Sequence, residues 1–285
     1  MQHKISSLII AGFFVLLFAR CNGDDRAKYE SPDGYDFSSP WILKLPIELD
    51  EISGIAYYPK DTSVFAINDE FGYLYKIHLM GNREIRKWKF SNAGDYEELA
   101  LIDTIFYAMQ SNGNIEVFTF GENGTVLKFD AYFPAKGNEF EILYYDSATH
   151  ILSMVCKDCD SDKKKSLTKY HFDPVSKTFL DSTSSIDVKK IAIMMGEKGL
   201  KFKPSGAAIH PITKELYIIS AVNDMLVITD GQGEPRISYR IDEKLFKQPE
   251  GLTFTPEGDL LISNESADKG VANILLFKYL KKGKS

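Results

Sequence analysis

The sequence predicts an all-β chain folded as a five-bladed β-propeller, and three observations carry that expectation. A short motif returns five times: Ser-Gly-Ile-Ala at Ser53–Ala56, Glu-Glu-Leu-Ala at Glu97–Ala100, Glu-Ile-Leu-Tyr at Glu141–Tyr144, Ser-Gly-Ala-Ala at Ser205–Ala208 and Glu-Gly-Leu-Thr at Glu250–Thr253. Its third residues, Ile55, Leu99, Leu143, Ala207 and Leu252, are spaced by 44, 44, 64 and 45 residues. A period near 44 is that of a propeller blade. Around the motifs, short apolar runs alternate with Pro, Asp and Gly breaks, and helix signals are nearly absent. A six-bladed ring is the alternative, because the 64-residue interval is long. Two blades would fill about 88 residues at the local period, so the reading carried forward is an insertion within 158–165 and 181–203.

Taken in order, residues 1–20 read as a targeting segment. Lys4 precedes an apolar run from Ile5 to Ala19, fifteen residues long. That is the length of a signal-peptide core and short of the roughly 20 residues a spanning helix needs. Leu17-Phe18-Ala19-Arg20-Cys21 resembles a bacterial lipobox, in which the Cys is lipidated and becomes the mature N-terminus. An uncleaved anchor and ordinary secretion are the other two readings, and all three place the domain outside the cytoplasm. Residues 21–40, polar and without hydrophobic period, read as a flexible tether, and 41–285 as the propeller.

Within the domain, Trp41–Leu45 is a spare strand ahead of the first motif. The first repeat predicts strands at Ile55–Tyr58, Ser63–Ile67 and Tyr73–Leu79. The fourth predicts them at Ala207–His210, Glu215–Ser220 and Met225–Thr229, and the fifth at Leu252–Thr255, Asp259–Ser263 and Asn273–Tyr279. The fifth repeat ends after three strands, so pairing Trp41–Leu45 with it closes the ring and removes two exposed sheet edges. Asp187–Met195 matches no element of the repeat.

Composition narrows the functional classes. Hydrophobic residues make up 44% and aromatics 13%, enough for a sizeable core. The formal charge is −6, and loss of residues 1–20 removes Lys4 and Arg20 but no acid. An acidic domain without a basic stripe argues against nucleic acid as partner. Lys163–Lys165 and Lys281–Lys284 are short runs that read as solvated loop and tail. Cys156 and Cys159 have half the spacing of a zinc site but no second pair, so they read as a local disulfide or two free thiols. Asp158, Asp160 and Asp162 alternate as in a calcium loop, yet Lys163 and Lys169 stand where its Gly and closing Glu belong.

The chemistry the motifs point to is cation binding. Glu97, Glu141 and Glu250 hold one offset in three repeats, with Ser53 and Ser205 in the other two. In a closed ring they converge on one mouth of the channel. Three carboxylates there repel one another unless protonated or bound to a cation, and Ca2+ accepts six to eight oxygens in flexible geometry. A second ring comes from the ends of the second strands: Asn68-Asp69-Glu70, Gln110, Asp158 and Asn264-Glu265. The candidate metal ligands are therefore Glu97, Glu141, Glu250, Asn264 and Glu265. The competing reading makes the glutamates caps for backbone amides of the neighbouring blade.

Five phrases in order carry a resemblance: Glu51-Ile52-Ser53-Gly54-Ile55-Ala56-Tyr57, Asp95-Tyr96-Glu97-Glu98-Leu99, Phe140-Glu141, Lys203-Pro204-Ser205-Gly206 and Gln248-Pro249-Glu250-Gly251-Leu252. With Asn68-Asp69-Glu70 and Ser263-Asn264-Glu265, they make residues 41–280 resemble the SdiA-regulated (YjiK-like) β-propellers. That resemblance implies five blades, a bound calcium, an envelope location and no established activity. The family is distantly similar to NHL-repeat propellers, some of which are lactonases or arylesterases. The chain departs from the pattern at Glu98 and Ile142, which replace the motif glycine, and at Ala221-Val222, where an acid is usual.

Two functions follow as expectations. One is a calcium-binding, non-catalytic propeller anchored to the bacterial envelope through lipid on Cys21, facing the periplasm or the exterior, with a protein or small molecule on one face. The other is a calcium-dependent esterase or lactonase, the metal polarising an ester carbonyl. That chemistry wants a base, usually His, and none of His3, His78, His150, His171 and His210 falls at a motif position. No Gly-x-Ser-x-Gly elbow occurs either.

Overall fold

The computed structural model describes residues 29–280, apart from 82–83, 122–123, 160–161, 163–164 and 267–269. Strand β1 (Trp41–Lys44) leads into a single 3-10 turn at Ile47–Leu49. Blade one is β2 (Ile52–Tyr58), β3 (Ser63–Asn68), β4 (Tyr73–His78) and β5 (Ile85–Lys89). Blade two is β6 (Tyr96–Ile102), β7 (Ile105–Gln110), β8 (Ile115–Gly121) and β9 (Gly124–Ala131). Blade three is β10 (Glu139–Asp146), β11 (Ile151–Asp158) and β12 (Ser166–Asp173), with two short strands, β13 (Thr178–Phe179) and β14 (Ser184–Asp187), both paired to β12. Helix α1 (Val188–Met195) then precedes blade four, which is β15 (Gly206–Ile209), β16 (Leu216–Ser220), β17 (Met225–Thr229) and β18 (Pro235–Arg240). Blade five is β19 (Pro249–Phe254), β20 (Leu260–Asn264) and β21 (Asn273–Phe277), completed by β1.

The five inner strands β2, β6, β10, β15 and β19 pack side by side in that order, and β19 returns to β2. Closure comes from β1, antiparallel to β21, with Trp41 opposite Leu276 and Lys44 opposite Asn273. The ring thus has five blades, not six. The long interval holds β13, β14 and α1, so the insertion lies within blade three and its exit. Asp187, unassigned from sequence, caps α1 by accepting bonds from the backbone amides of Lys189 (2.8 Å) and Lys190 (3.1 Å). Gly196, at φ 67°, ends it in the left-handed conformation that glycine adopts without a Cβ penalty.

Each blade buries both faces, which explains why the second strands read as continuous apolar runs. In β3, Val64 and Ala66 enter the wedge between blades five and one, while Phe65 and Ile67 enter the wedge between one and two. Five such wedges form the core, one at each blade interface. The wedge between one and two is aromatic, with Phe90 stacked on Phe118 at 4.5 Å and Phe65 edge-on to Phe106 at 4.9 Å. The wedge between three and four takes Val188 and Ile191 of α1.

Composition reads 21–40 as a tether, and for residues 29–40 the structure corrects this. Tyr35 and Phe37 sit in the wedge between blades four and five, 6% and 5% exposed. The Tyr35 hydroxyl donates to the Gly258 carbonyl at 2.5 Å, and Phe37 lies 4.6 Å from the Phe277 ring. Two aromatic side chains among polar neighbours leave the average composition polar while anchoring the segment. Cys21 and residues 1–28 lie outside the described residues.

Candidate functional site

The motif side chains share one mouth because of a repeated backbone irregularity. In blades one, two, three and five the inner strand carries one residue more than its partner at the motif: between Ile52 and Ile55, Tyr96 and Glu98, Phe140 and Ile142, and Pro249 and Leu252. These are β-bulges, which kink a strand and re-aim the extra side chain. Glu97 and Glu141 are the extra residues of blades two and three. The motif glycines allow the inner strands to crowd together. A Cβ on Gly54 would lie 2.3 Å from both the Glu98 carboxylate and the Leu99 amide nitrogen, and one on Gly206 2.1 Å from the Glu250 carbonyl.

The glutamates sense one another. Burial, then Glu141 and Asp95, push the Glu97 carboxyl up to about 9. Burial raises Glu250 well above the usual range, helped by Glu265, Glu141 and Glu97. Glu141 is also raised, burial outweighing the pull of Lys157. At the ends of the second strands, Glu265 is pushed to about 7 by burial, Glu51 and Asp69. Asp69 is pushed to about 6 by burial, Glu51 and Glu70. Glu265 also accepts a bond from Gln248 at 3.2 Å. Asn264 is fully buried, and its amide donates to Leu245 O at 3.2 Å and Asn273 Oδ1 at 3.0 Å. It is therefore tied into blade five rather than turned freely to the axis.

Two residues that motif reasoning passed over complete the mouth. Lys157 bonds to Glu141 and stands 3.7 Å from Glu139. It is the extra residue of a second bulge, on β11 between the partners of Glu139 and Phe140, and the Cys156–Cys159 disulfide brackets it. Nothing in the repeat marks it. Glu98 is visible in the sequence as the acid at a motif-glycine position. It is 2% exposed; Oε1 accepts the Leu99 amide at 3.0 Å, whereas Oε2 is buried without a partner.

The donor set suits a hard cation in part. All-oxygen groups dominate, and Glu98 Oε2, Asp69 Oδ1 and Asn264 Oδ1 are orphaned. Against this, among the described residues no three of these acids bring oxygens within 4.8 Å of one another. The trio that meets that distance is Cys156, Cys159 and Asp162, whose sulfurs are bonded together. The mouth's counter-charge in this structure is the Lys157 ammonium.

Three of the described histidines have their partners elsewhere in the blades. His210 is fully buried among Tyr35, Tyr217, Phe254 and Tyr279, its pKa pushed down to about 4 by burial. His171 lies between Ser153 and Ser184, and His150 contacts Tyr145.

Residues 43–267 match the SdiA-regulated family model. The chain belongs to the SdiA-regulated family. Among curated proteins none matches it. Solved structures with the same fold include a glutaminyl cyclase from Myxococcus xanthus, 11% identical, with TM-score 0.56 over 84% of this chain and 96% of that one. A luciferin-regenerating enzyme is 10% identical, with TM-score 0.52 over 85% of this chain and 96% of that one. At such identity the likeness is one of fold, and fold does not carry function.

Proposed function

We propose that this SdiA-regulated propeller is a calcium-stabilised, non-catalytic binding domain anchored to the bacterial envelope through lipid on Cys21. The observation that carries the calcium reading is the mouth itself: Glu97, Glu141 and Glu250 are all raised by burial, Glu141 adds to the rise of the other two, and Lys157 bonds to Glu141 as a counter-charge. Glu97, Glu141 and Glu250, with Glu265 beside them, would hold the ion, and Asn264 would brace β20. Bound calcium would supply positive charge that lets these carboxyls ionise. The binding reading needs only the ring, the anchor and a face to present, whereas the esterase reading would need one of the mouth carboxylates as its base. The anchor reading rests on the sequence of residues 1–21, with its apolar run and Cys21; no helix of the described residues is long and apolar enough to cross a membrane.

Metal analysis of the purified protein, with melting curves in chelator and in calcium, tests the metal. A ligand that binds the folded state alone adds about 2.7 kcal/mol at a hundredfold excess over Kd. Calcium should therefore raise the melting temperature, and Glu141→Gln should blunt the rise. Melting that ignores both chelator and calcium, with no metal co-purifying, would overturn it. Turnover in an ester and lactone panel, lost with Glu97→Gln, would replace the binding reading by the esterase one.

A further inference from the structure

An apolar groove lies at the seam of blades five and one, away from the carboxylate mouth. It encloses about 880 Å³, and its walls include Trp41, Tyr57, Leu79, Met80, Leu276 and Leu280. The directions and pairing of β1, β2, β4 and β21 place all six at the end of the ring opposite the motif. Ser53 sits at the mouth end of β2, and Pro59 of the groove follows its other end, about 20 Å away along an extended strand. Three of the large apolar side chains face solvent: Met80 is 76% exposed, Leu280 61% and Trp41 37%. Clustered exposure of this kind marks an interaction surface. Charge is sparse and mixed. Asp259 is paired with Lys278 at 2.6 Å, Asp36 accepts from the Ser38 amide and hydroxyl, and Glu257 is exposed.

We propose that this groove docks on the surface of the lipid bilayer, so that the carboxylate mouth points away from the membrane. The occupant follows from where the chain joins the fold. The Gly34 carbonyl accepts the Leu280 amide at 2.7 Å, and the Tyr35 hydroxyl donates to Gly258 in the turn after β19. Both contacts lie at the groove's end of the ring. Cys21 is eight residues before Tyr29, the first described residue, so a lipid on it stays within about 29 Å of Tyr29 even on an extended chain. That tether holds the groove near the membrane, where even a weak contact is filled through high effective concentration. Trp and Tyr rings favour the headgroup level, and Met and Leu side chains the acyl boundary beneath it. Since the groove's lysine is already paired and its acids are few, a zwitterionic surface suffices. The inference rests on the anchor reading and deepens it by fixing which face meets the membrane and which is left for a partner.

Tryptophan quenching in vesicles tests it, because the chain has two tryptophans at opposite ends of the ring. Trp41 lines the groove, whereas Trp88 pairs with Leu74 in the mouth half of blade one. The protein purified from membranes is reconstituted in dioleoylphosphatidylcholine vesicles, or in a phosphatidylcholine brominated at acyl carbons 6 and 7, and its mass reports lipid on Cys21 separately. With Trp88→Phe, emission from Trp41 should fall at least about twofold in the brominated vesicles, as for a ring at the interface. With Trp41→Phe, emission from Trp88 should be the same in both. Met80→Asp with Leu280→Asp, at exposed positions that leave the core intact, should remove most of the Trp41 quenching while the protein stays on the vesicles. Acylated protein whose Trp41 is not quenched, or whose Trp88 is quenched equally, would overturn the docking and leave the anchor standing. Protein without acyl whose Trp41 is still quenched would keep the docking and sink the anchor, and protein that neither carries lipid nor meets vesicles would sink both. A concentration-dependent dimer that Met80→Asp dissolves would give the groove to a second copy of the chain and overturn the proposal.

Discussion

Glu97 shows what a bulge does to one residue's chemistry. Its folded-state pKa, about 9, stands far above the 4.5 of an unperturbed glutamate, and Glu265 and Asp69 are raised in the same sense. The folded chain therefore holds protons that the unfolded chain has released. The stability this confers is fully present below about pH 4, and it is lost as pH rises through the folded-state values. Without divalent cation, the melting temperature should fall steadily from about pH 5 to pH 9. Calcium favours the ionised carboxyls, so its stabilisation should grow over the same range. A chelated melt that is flat from pH 5 to 9 would remove the electrostatic account. Lys157 supplies the second test at this scale. Lys157→Met deletes the ammonium on Glu141, so in chelator at pH 8 the protein should melt earlier. Calcium should bind it at least about tenfold more tightly, since one unit charge at this range outweighs 1.4 kcal/mol at an effective dielectric of 20. Unchanged calcium affinity in that variant would show that the ion and Lys157 do not share a place.

At the scale of elements, the blade strands were legible and the irregularities between them were not. The anchors Ile55, Leu99, Leu143, Ala207 and Leu252 all lie on inner strands, because apolar runs between turns report burial directly. The bulges were invisible, since an extra residue is defined against a partner strand and not within its own. Lys157 was invisible for the same reason: its meeting with Glu141 depends on the register of β11 against β10. Tyr35 and Phe37 were concealed by polar neighbours. Their packing makes 29–40 part of the fold, with a measurable cost of removal. Phe37→Ala should destabilise by about 3–5 kcal/mol, as for other buried aromatics. Tyr35→Phe should cost about 1 kcal/mol for the bond to Gly258. Denaturant unfolding of both variants decides this, and values within error of wild type would return the segment to the status of a tether.

On the scale of the whole molecule, the ring is a chain of wedges, each shared by two blades and sealed once by β1. The closure was foreseeable from arithmetic: the fifth repeat has three strands, and Trp41–Leu45 precedes the first motif. What arithmetic leaves open is how strongly that single seam holds. Leu43 is 2% exposed and lies in the wedge between blades five and one, together with Ile274 and Ile55. Leu43→Ala should cost about 2–5 kcal/mol. The loss should be local in character, because the other four wedges keep their contacts. Amide hydrogen exchange reads this blade by blade. In the variant, the amides of β1 and β21 should exchange through an opening well below the free energy of global unfolding. Those of β7 and β11, in blades two and three, should keep protection close to the global limit. If β7 and β11 lose protection in step with β21, the seam governs the entire ring, and the propeller opens as a single cooperative unit rather than at its join.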